Sequence, residues 1–275
     1  MTTQSDIEIL RPDLPRGGYR AVLFDFDGTL SLLRESWPKI MVRMMAEALK
    51  WTGTAETFEE LEVLTEEFIM ALNGRPAYFQ MARLVDEVRF RGGIPDSTED
   101  YLAEYDRRLH AVIRERVCEI QDRRCPTHRW AVPGSHSILE SLRRRGLKLY
   151  LASGTHLHFV RSEADLLELS PFFGNEINAP EPSDLEFSKR AVIERILAEN
   201  NLRGEQLLSF GDGVVETEEV RRVGGTAVAV ASDETPGGIN RWKRDRLVPA
   251  GADIVIPDYR EHEQLLAWLF DEDAR

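Results

Sequence analysis

The residues best suited to chemistry fall into four short clusters. In the first, Phe24-Asp25-Phe26-Asp27-Gly28-Thr29-Leu30, two acids stand one residue apart directly after the apolar run Ala21–Phe24. Such a run reads as a buried strand, and open α/β sheets bind ligands beyond the carboxyl ends of their strands. Gly28 permits a tight turn that aims both carboxylates and nearby amides at one point. A turn with no task would leave two charges at the end of a buried strand. Burying charges costs several kcal/mol unless they are paired or bind a metal.

Three further clusters follow in the chain. Leu151-Ala152-Ser153-Gly154-Thr155 ends a second apolar run with a hydroxyl, Ser153, and an open amide, Gly154, which together suit a phosphate cradle. Lys189 opens a helical segment and can bring positive charge to a phosphoryl oxygen. Ser209-Phe-Gly211-Asp212-Gly-Val-Val-Glu216 closes another apolar run with two acids four apart, Asp212 and Glu216, able to complete an oxygen-ligand site for Mg²⁺. Alone, a Ser-Gly-Thr is ordinarily a turn and a single lysine is ordinarily solvated. The ordered set is specific.

Elements to position these groups are legible in the patterning. Residues 1–18 read as an arm ended by Gly17-Gly18. From residue 33 to 128 the periodicity is helical almost throughout. Trp37, Ile40, Met41, Met44 and Met45 recur at helix spacing, and Thr57-Phe-Glu-Glu60 has the form of a capping box. Asn73-Gly74-Arg75-Pro76 breaks the second helix, and a long fourth helix carries Tyr101, Tyr105 and Leu109 toward Ile120. Beyond Val132, helices over 134–145, 158–168, 188–200, 215–222 and 261–270 alternate with strands at Leu147–Ala152, Gln206–Phe210, Thr226–Ala231 and Asp253–Ile256. The expected architecture is therefore α/β, a Rossmann-like parallel sheet with an all-helical domain inserted after the first strand. The expected segments are 1–32 (arm and first strand), 33–128 (helical insert) and 129–275 (the rest of the core). The basic run Arg241, Lys243, Arg244, Arg246 reads as a solvated face.

Composition narrows the partners. With 275 residues, 42% hydrophobic and 30% charged, the chain is an ordinary globular protein of one or two domains. The 48 acidic residues against 35 basic give a net charge of −13, which argues against nucleic acid and anionic membranes. Positive charge for a phosphate must then be concentrated locally. Cys118 and Cys125 have no metal-ligand spacing and make neither a disulfide scaffold nor a zinc site. No apolar run approaches the ~18 residues of a membrane span, and the expected location is cytoplasmic.

In their order the four clusters resemble the signature of the haloacid dehalogenase superfamily. Asp25-Phe-Asp27-Gly-Thr is similar to its first motif, Ser153 to its second, Lys189 to its third, and Gly211-Asp212 with Glu216 to its fourth. Arg190 stands where a proline is frequent after the lysine, and Glu216 where Asp is common. The resemblance implies a Mg²⁺-dependent phosphatase with a C1 helical cap, acting on a small phosphorylated metabolite such as a sugar phosphate. It implies Asp25 as nucleophile and Asp27 as general acid and base. Metal would be held by Asp25, the Asp27 carbonyl and Asp212, with Glu216 behind them, and phosphate by Ser153, Gly154 and Lys189. Arg34, Glu35, Arg75, Gln80 and His156, with His158 beside it, are the candidate specificity residues. An acid at position 27 sets the chain apart from dehalogenases and phosphonatases. The alternatives are a phosphomutase of the β-phosphoglucomutase type and a binding protein that keeps the fold without turnover.

Overall fold

Ala21–Phe24 is apolar at every position, which suits a strand covered on both faces at the centre of a parallel sheet. A computed structural model of the chain describes residues 6–72, 77–181, 187–233 and 238–272. Its residues form two compact units, Met1–Leu33 with Asp122–Arg275, and Arg34–Gln121.

The first unit begins with β1 (Glu8–Ile9) and β2 (Ala21–Phe24). After the insertion it continues with α5 (Ser135–Arg144), β3 (Lys148–Ala152), α6 (Leu157–Leu166), α7 (Ser170–Phe173) and β4 (Ile177–Asn178). Then come α8 (Lys189–Glu199), β5 (Leu207–Gly211), α9 (Val214–Arg222), β6 (Thr226–Val230), α10 (Arg241–Leu247), β7 (Ile254–Ile256) and α11 (His262–Leu269). The seven strands lie in the order β1-β7-β6-β5-β2-β3-β4. All described pairings are parallel except that of β1 with β7. Phe24 is in register with Leu151 on one side and Phe210 on the other. The residues just past these three strands therefore share one edge of the sheet.

Two details depart from the sequence reading. The arm is partly strand, because Glu8 and Ile9 pair with Val255 and Ile254. Ion pairs Arg11–Asp253 at 3.1 Å and Arg244–Glu8 at 2.7 Å fasten it. The short β4 was also not anticipated, since two residues carry no periodicity.

Alternation along β2 sorts its side chains between two layers. Ala21 and Leu23 pack with Val192, Ile193 and Ile196 of α8 and Val220 of α9. On the opposite face Phe24 stacks on Phe210, with ring centroids 4.8 Å apart, and both rings meet Tyr259 edge-on. All three aromatic residues are fully buried.

The second unit is α1 (Trp37–Lys50), α2 (Phe58–Ala71), α3 (Ala77–Phe90) and α4 (Thr98–Gln121). The capping box is made in full: Glu60 N donates to Thr57 Oγ1 at 3.2 Å and Thr57 N to Glu60 Oε2 at 2.8 Å. Met41, Met45, Leu49, Leu61, Ile69, Met81 and Leu84 form its core. The helical unit is seven residues shorter at its C-terminal side than the expected 33–128, since it ends at Gln121. The outgoing and returning chain segments run side by side in the first unit, with Leu32 N bonded to Trp130 O at 2.8 Å and Val132 N to Leu30 O at 2.9 Å.

Arg91 is buried in the helical unit and clamps two helices. It pairs with both oxygens of Glu56, at 2.6 and 2.7 Å, and with Glu87 at 2.6 Å. Hydrogen bonds from Arg91, and then from Thr54, hold the Glu56 carboxyl at about 2. A depressed carboxyl stabilises the fold above its unfolded pKa, and this contribution is lost as pH falls through the folded value. Glu56→Gln should therefore destabilise the protein at pH 7 by about 1 kcal/mol or less, since Glu56 is 38% exposed and screened by solvent. In urea titrations the difference from wild type should close as pH falls from about 4 toward 2, and a difference that persists there contradicts the assignment.

Candidate active site

The edge formed by β2, β3 and β5 collects the acids and hydroxyls singled out in the sequence. Asp25 follows β2 directly, and its amide donates to Phe210 O at 2.9 Å, which carries the strand pairing one residue further. Gly28 lies in the left-handed region at φ +74°, and a Cβ there would fall 2.1 Å from Asp212 Oδ2. The turn thus accepts only glycine, for backbone and packing reasons alike. It brings the Asp25–Asp27 turn against the end of β5.

Lys189 is the first residue of α8, fixed by its neighbour Ser188, whose hydroxyl caps the helix by accepting from Ala191 N at 3.2 Å. Its ammonium bridges Asp25 Oδ1 at 2.7 Å and Glu216 Oε2 at 3.2 Å, with side chains 13%, 10% and 6% exposed respectively. The Arg190 that replaces the frequent proline pairs with Glu219 of α9 at 2.6 Å, tying α8 to α9 beside the site. Glu216 folds back to accept from Gly213 N at 2.6 Å, an approach that a side chain at position 213 would block.

The two acids of the first turn sit in different surroundings. Asp27 accepts from Thr155 Oγ1 at 2.8 Å and from Ser153 Oγ at 3.4 Å, while Thr155 N donates back to Ser153 Oγ at 3.1 Å. Asp25 faces the lysine. Burial pushes the Asp25 carboxyl well above its usual range; Lys189 opposes the shift, while Glu216 and Asp212 add to it. Burial would raise Glu216 as well, but Lys189 and hydrogen bonds from backbone amides, including that of Gly213, outweigh it and leave Glu216 low. Lys189 is buried too, yet its two carboxylates hold it as an ammonium. A further cation near Asp25 would keep its carboxylate ionised.

The donor set suits a hard divalent cation. Asp25, Asp212 and Glu216 each offer an oxygen, and these atoms lie within 4.8 Å of one another. Oxygen-only ligation is the preference of Mg²⁺ and its like. The three carboxylates meet two lysines in direct contact, Lys189 and Lys243, which leaves an excess of one negative charge. One divalent ion would more than balance that excess.

Of the remaining candidates, Gly154 is exposed, with open space where its Cβ would lie. His156 and His158 are exposed at the start of α6, their rings 6.3 Å apart and nearly parallel. Arg34 and Glu35 are half-buried at the first turn of the helical unit. Gln80 departs from expectation: it is only 3% exposed, and its amide donates to Ile69 O at 3.0 Å, a bond between α3 and α2 inside the helical unit. Its role there is structural. Arg75 lies outside the described residues.

Two contributors escaped the sequence reading. Thr155 closes the run read as a phosphate cradle but was given no role of its own, though a hydroxyl two residues past Ser153 was the available signal. Lys243 lies in a charge run that reads as a solvated face, yet it is 5% exposed and contacts Asp212 Oδ2 at 3.1 Å. Nothing in its local sequence marks it as buried.

Fold and site together define a doubly wound α/β protein with an acidic, lysine-bridged site at the topological switch point of its sheet. The sequence pattern of the haloacid dehalogenase-like hydrolases matches residues 19–224, and the chain belongs to that family. No curated protein matches it. Among solved structures it is similar to a haloacid dehalogenase-like protein of unknown function from Agrobacterium tumefaciens, at TM-score 0.61 and 18% identity, over 91% of this chain and 98% of that one. A predicted phosphoglycolate phosphatase from Haemophilus somnus aligns at TM-score 0.58 and 18% identity, over 90% and 98%. A candidate β-phosphoglucomutase from Thermotoga maritima aligns at TM-score 0.54 and 19% identity, over 93% and 99%. Among the described residues, no helix is long and apolar enough to cross a membrane.

Removing Lys189 would strand two buried carboxylates. Lys189→Met is expected to destabilise the protein by about 3 kcal/mol in EDTA, and by less in saturating Mg²⁺, where the ion replaces the lost charge. Denaturant unfolding under both conditions measures this, and an equal loss in each would contradict the shared-charge arrangement.

Proposed function

We propose that the chain is a Mg²⁺-dependent phosphatase that transfers the phosphoryl group of a small phosphorylated metabolite to Asp25 and then to water. The observation that carries this reading is the division of labour between Asp25 and Asp27. Asp25 is ion-paired to Lys189 at 2.7 Å, as a nucleophilic carboxylate needs, while Asp27 is held by neutral hydroxyls. Two acids in unlike environments on one turn suit unlike roles.

In the first step an Asp25 carboxylate oxygen attacks phosphorus, and the bond from phosphorus to the ester oxygen breaks. Asp27, protonated, gives its proton to that departing oxygen. In the second step Asp27 takes a proton from water, the water oxygen bonds to phosphorus, and the Asp25–phosphorus bond breaks to release inorganic phosphate. Lys189 neutralises Asp25 against the incoming anion. Ser153 and the Gly154 amide bind phosphoryl oxygens, and Thr155 keeps Asp27 oriented. Asp25, the Asp27 carbonyl and Asp212, with Glu216 behind them, would hold Mg²⁺, which would supply charge neutralisation for the transferring group.

The helical unit serves in this reading as a C1 cap that selects the substrate. Arg34 and Glu35 stand at its first turn and His156 just past the phosphate cradle, so these remain the specificity candidates, with Arg75 among them. The hydroxyl chemistry of a sugar phosphate or a similar phosphomonoester suits such a mixed polar set.

Phosphate release should be measured across phosphorylated sugars, nucleotides and small acids, with Mg²⁺ and with EDTA. Asp25→Asn is expected to lower kcat by about 10³-fold or more at unchanged circular dichroism, and Asp27→Asn by about 10²–10⁴-fold. Substantial turnover in Asp25→Asn would overturn the nucleophile. An isomerised sugar phosphate without free phosphate would replace the phosphatase with a mutase.

A further inference from the structure

The basic run at 241–246 is the one sequence feature that the proposed reaction leaves unused, and half of it points at the acidic site. α10 is anchored to the end of β6 by Asn240, whose amide donates to Ala231 O at 2.9 Å and whose side-chain oxygen accepts from Lys243 N at 3.1 Å. This start places Lys243 on the inner face of the helix. Its ammonium lies 3.1 Å from Asp212 Oδ2 and donates to Ser232 Oγ at 3.0 Å, and Ser232 in turn donates to the carbonyl of Gly28. A Cβ on Gly28 would fall 3.1 Å from the same ammonium. Arg246, stacked on Trp242 at 4.4 Å, is half-buried and feels the charges of Asp212 and Glu216 from further away.

We propose that Lys243 is a positioning residue that acts through Asp212 and sets the cation affinity of the site. The inference rests on the metal-dependent reading above and goes beyond the residues that reading uses. Lys243 is too deeply buried, at 5% exposure, to meet a substrate from solvent, and its contacts are those of a strut. It joins three segments, the turn at Gly28, the end of β5 at Asp212 and the end of β6 at Ser232, so that the Asp212 carboxylate is fixed before any cation arrives. It also cancels one of the three negative charges. The cluster then attracts a divalent ion without holding it so tightly that an incoming phosphoryl group meets a fully neutralised cation. A neutral residue at 243 would leave two excess charges instead of one, and the added attraction at short range in a partly buried site is large compared with that in water.

The test is calorimetric titration of Mg²⁺ into the full-length protein without substrate, for wild type, Lys243→Met and Lys243→Arg. Lys243→Met is expected to bind Mg²⁺ about tenfold more tightly, and Lys243→Arg to stay within about threefold of wild type because the charge is kept. Should Lys243→Met fail to fold, Lys243→Gln keeps a polar, uncharged side chain there and is expected to give the same tightening. A neutral variant with wild-type or weaker affinity overturns the inference while leaving the metal reading intact. A wild-type protein that binds no Mg²⁺ overturns the metal reading and this inference with it.

Discussion

The structure depends on one constraint: a carboxylate at the end of a strand buried on both faces must be matched by positive charge. Phe24, Phe210 and Tyr259 form a fully buried aromatic floor where β2 runs into Asp25. Above such a floor water screens charges poorly, and an unmatched carboxylate takes up a proton rather than stay ionised. The elevated affinity of Asp25 for its proton is that tendency at work. Lys189 works in the opposite direction. Ser188 starts α8 where Lys189 reaches two acids at once, Gly28 and Gly213 open room for Asp212 and Glu216, and Asn240 starts α10 where Lys243 turns inward.

A bound divalent cation would let such a site hold an anionic ligand in an acidic protein. The net charge of −13 describes the surface as a whole. At the sheet edge, Lys189 and Lys243 are each buried against a carboxylate, so a single divalent ion would reverse the sign of the local charge. The ion pairs of the helical unit, such as Arg91 with Glu56, follow a simpler rule: they fasten helices and carry no chemistry.

Much of this was legible in the sequence, for physical reasons. β2 was placed at Ala21–Phe24 without error because four consecutive apolar residues ending in an acid have few other uses. The capping box at Thr57 and Glu60 was readable because its two hydrogen bonds fix both residue types and spacing. Asp25, Lys189 and Glu216 meet in space as their order in the chain suggested. What the sequence concealed was contact between distant segments. Lys243 is thirty-one residues past Asp212, in a run whose charge pattern matches any solvated helix. Gln80 was read as a candidate specificity residue because a single buried amide that ties two helices together leaves no periodic trace. The strand at Glu8–Ile9 is too short for alternation to register and exists through its pairing with β7.

The central claim is that Asp25, balanced by its neighbouring cations, accepts a phosphoryl group. Beryllofluoride tests it without knowledge of the substrate, because it mimics a phosphoryl group bound to a carboxylate. Fluorine NMR of the protein with beryllofluoride and Mg²⁺ should show bound resonances distinct from those of the free complex. They should vanish in EDTA and in Asp25→Asn. Only free resonances with the wild-type protein, or bound ones that survive in Asp25→Asn, would contradict the account.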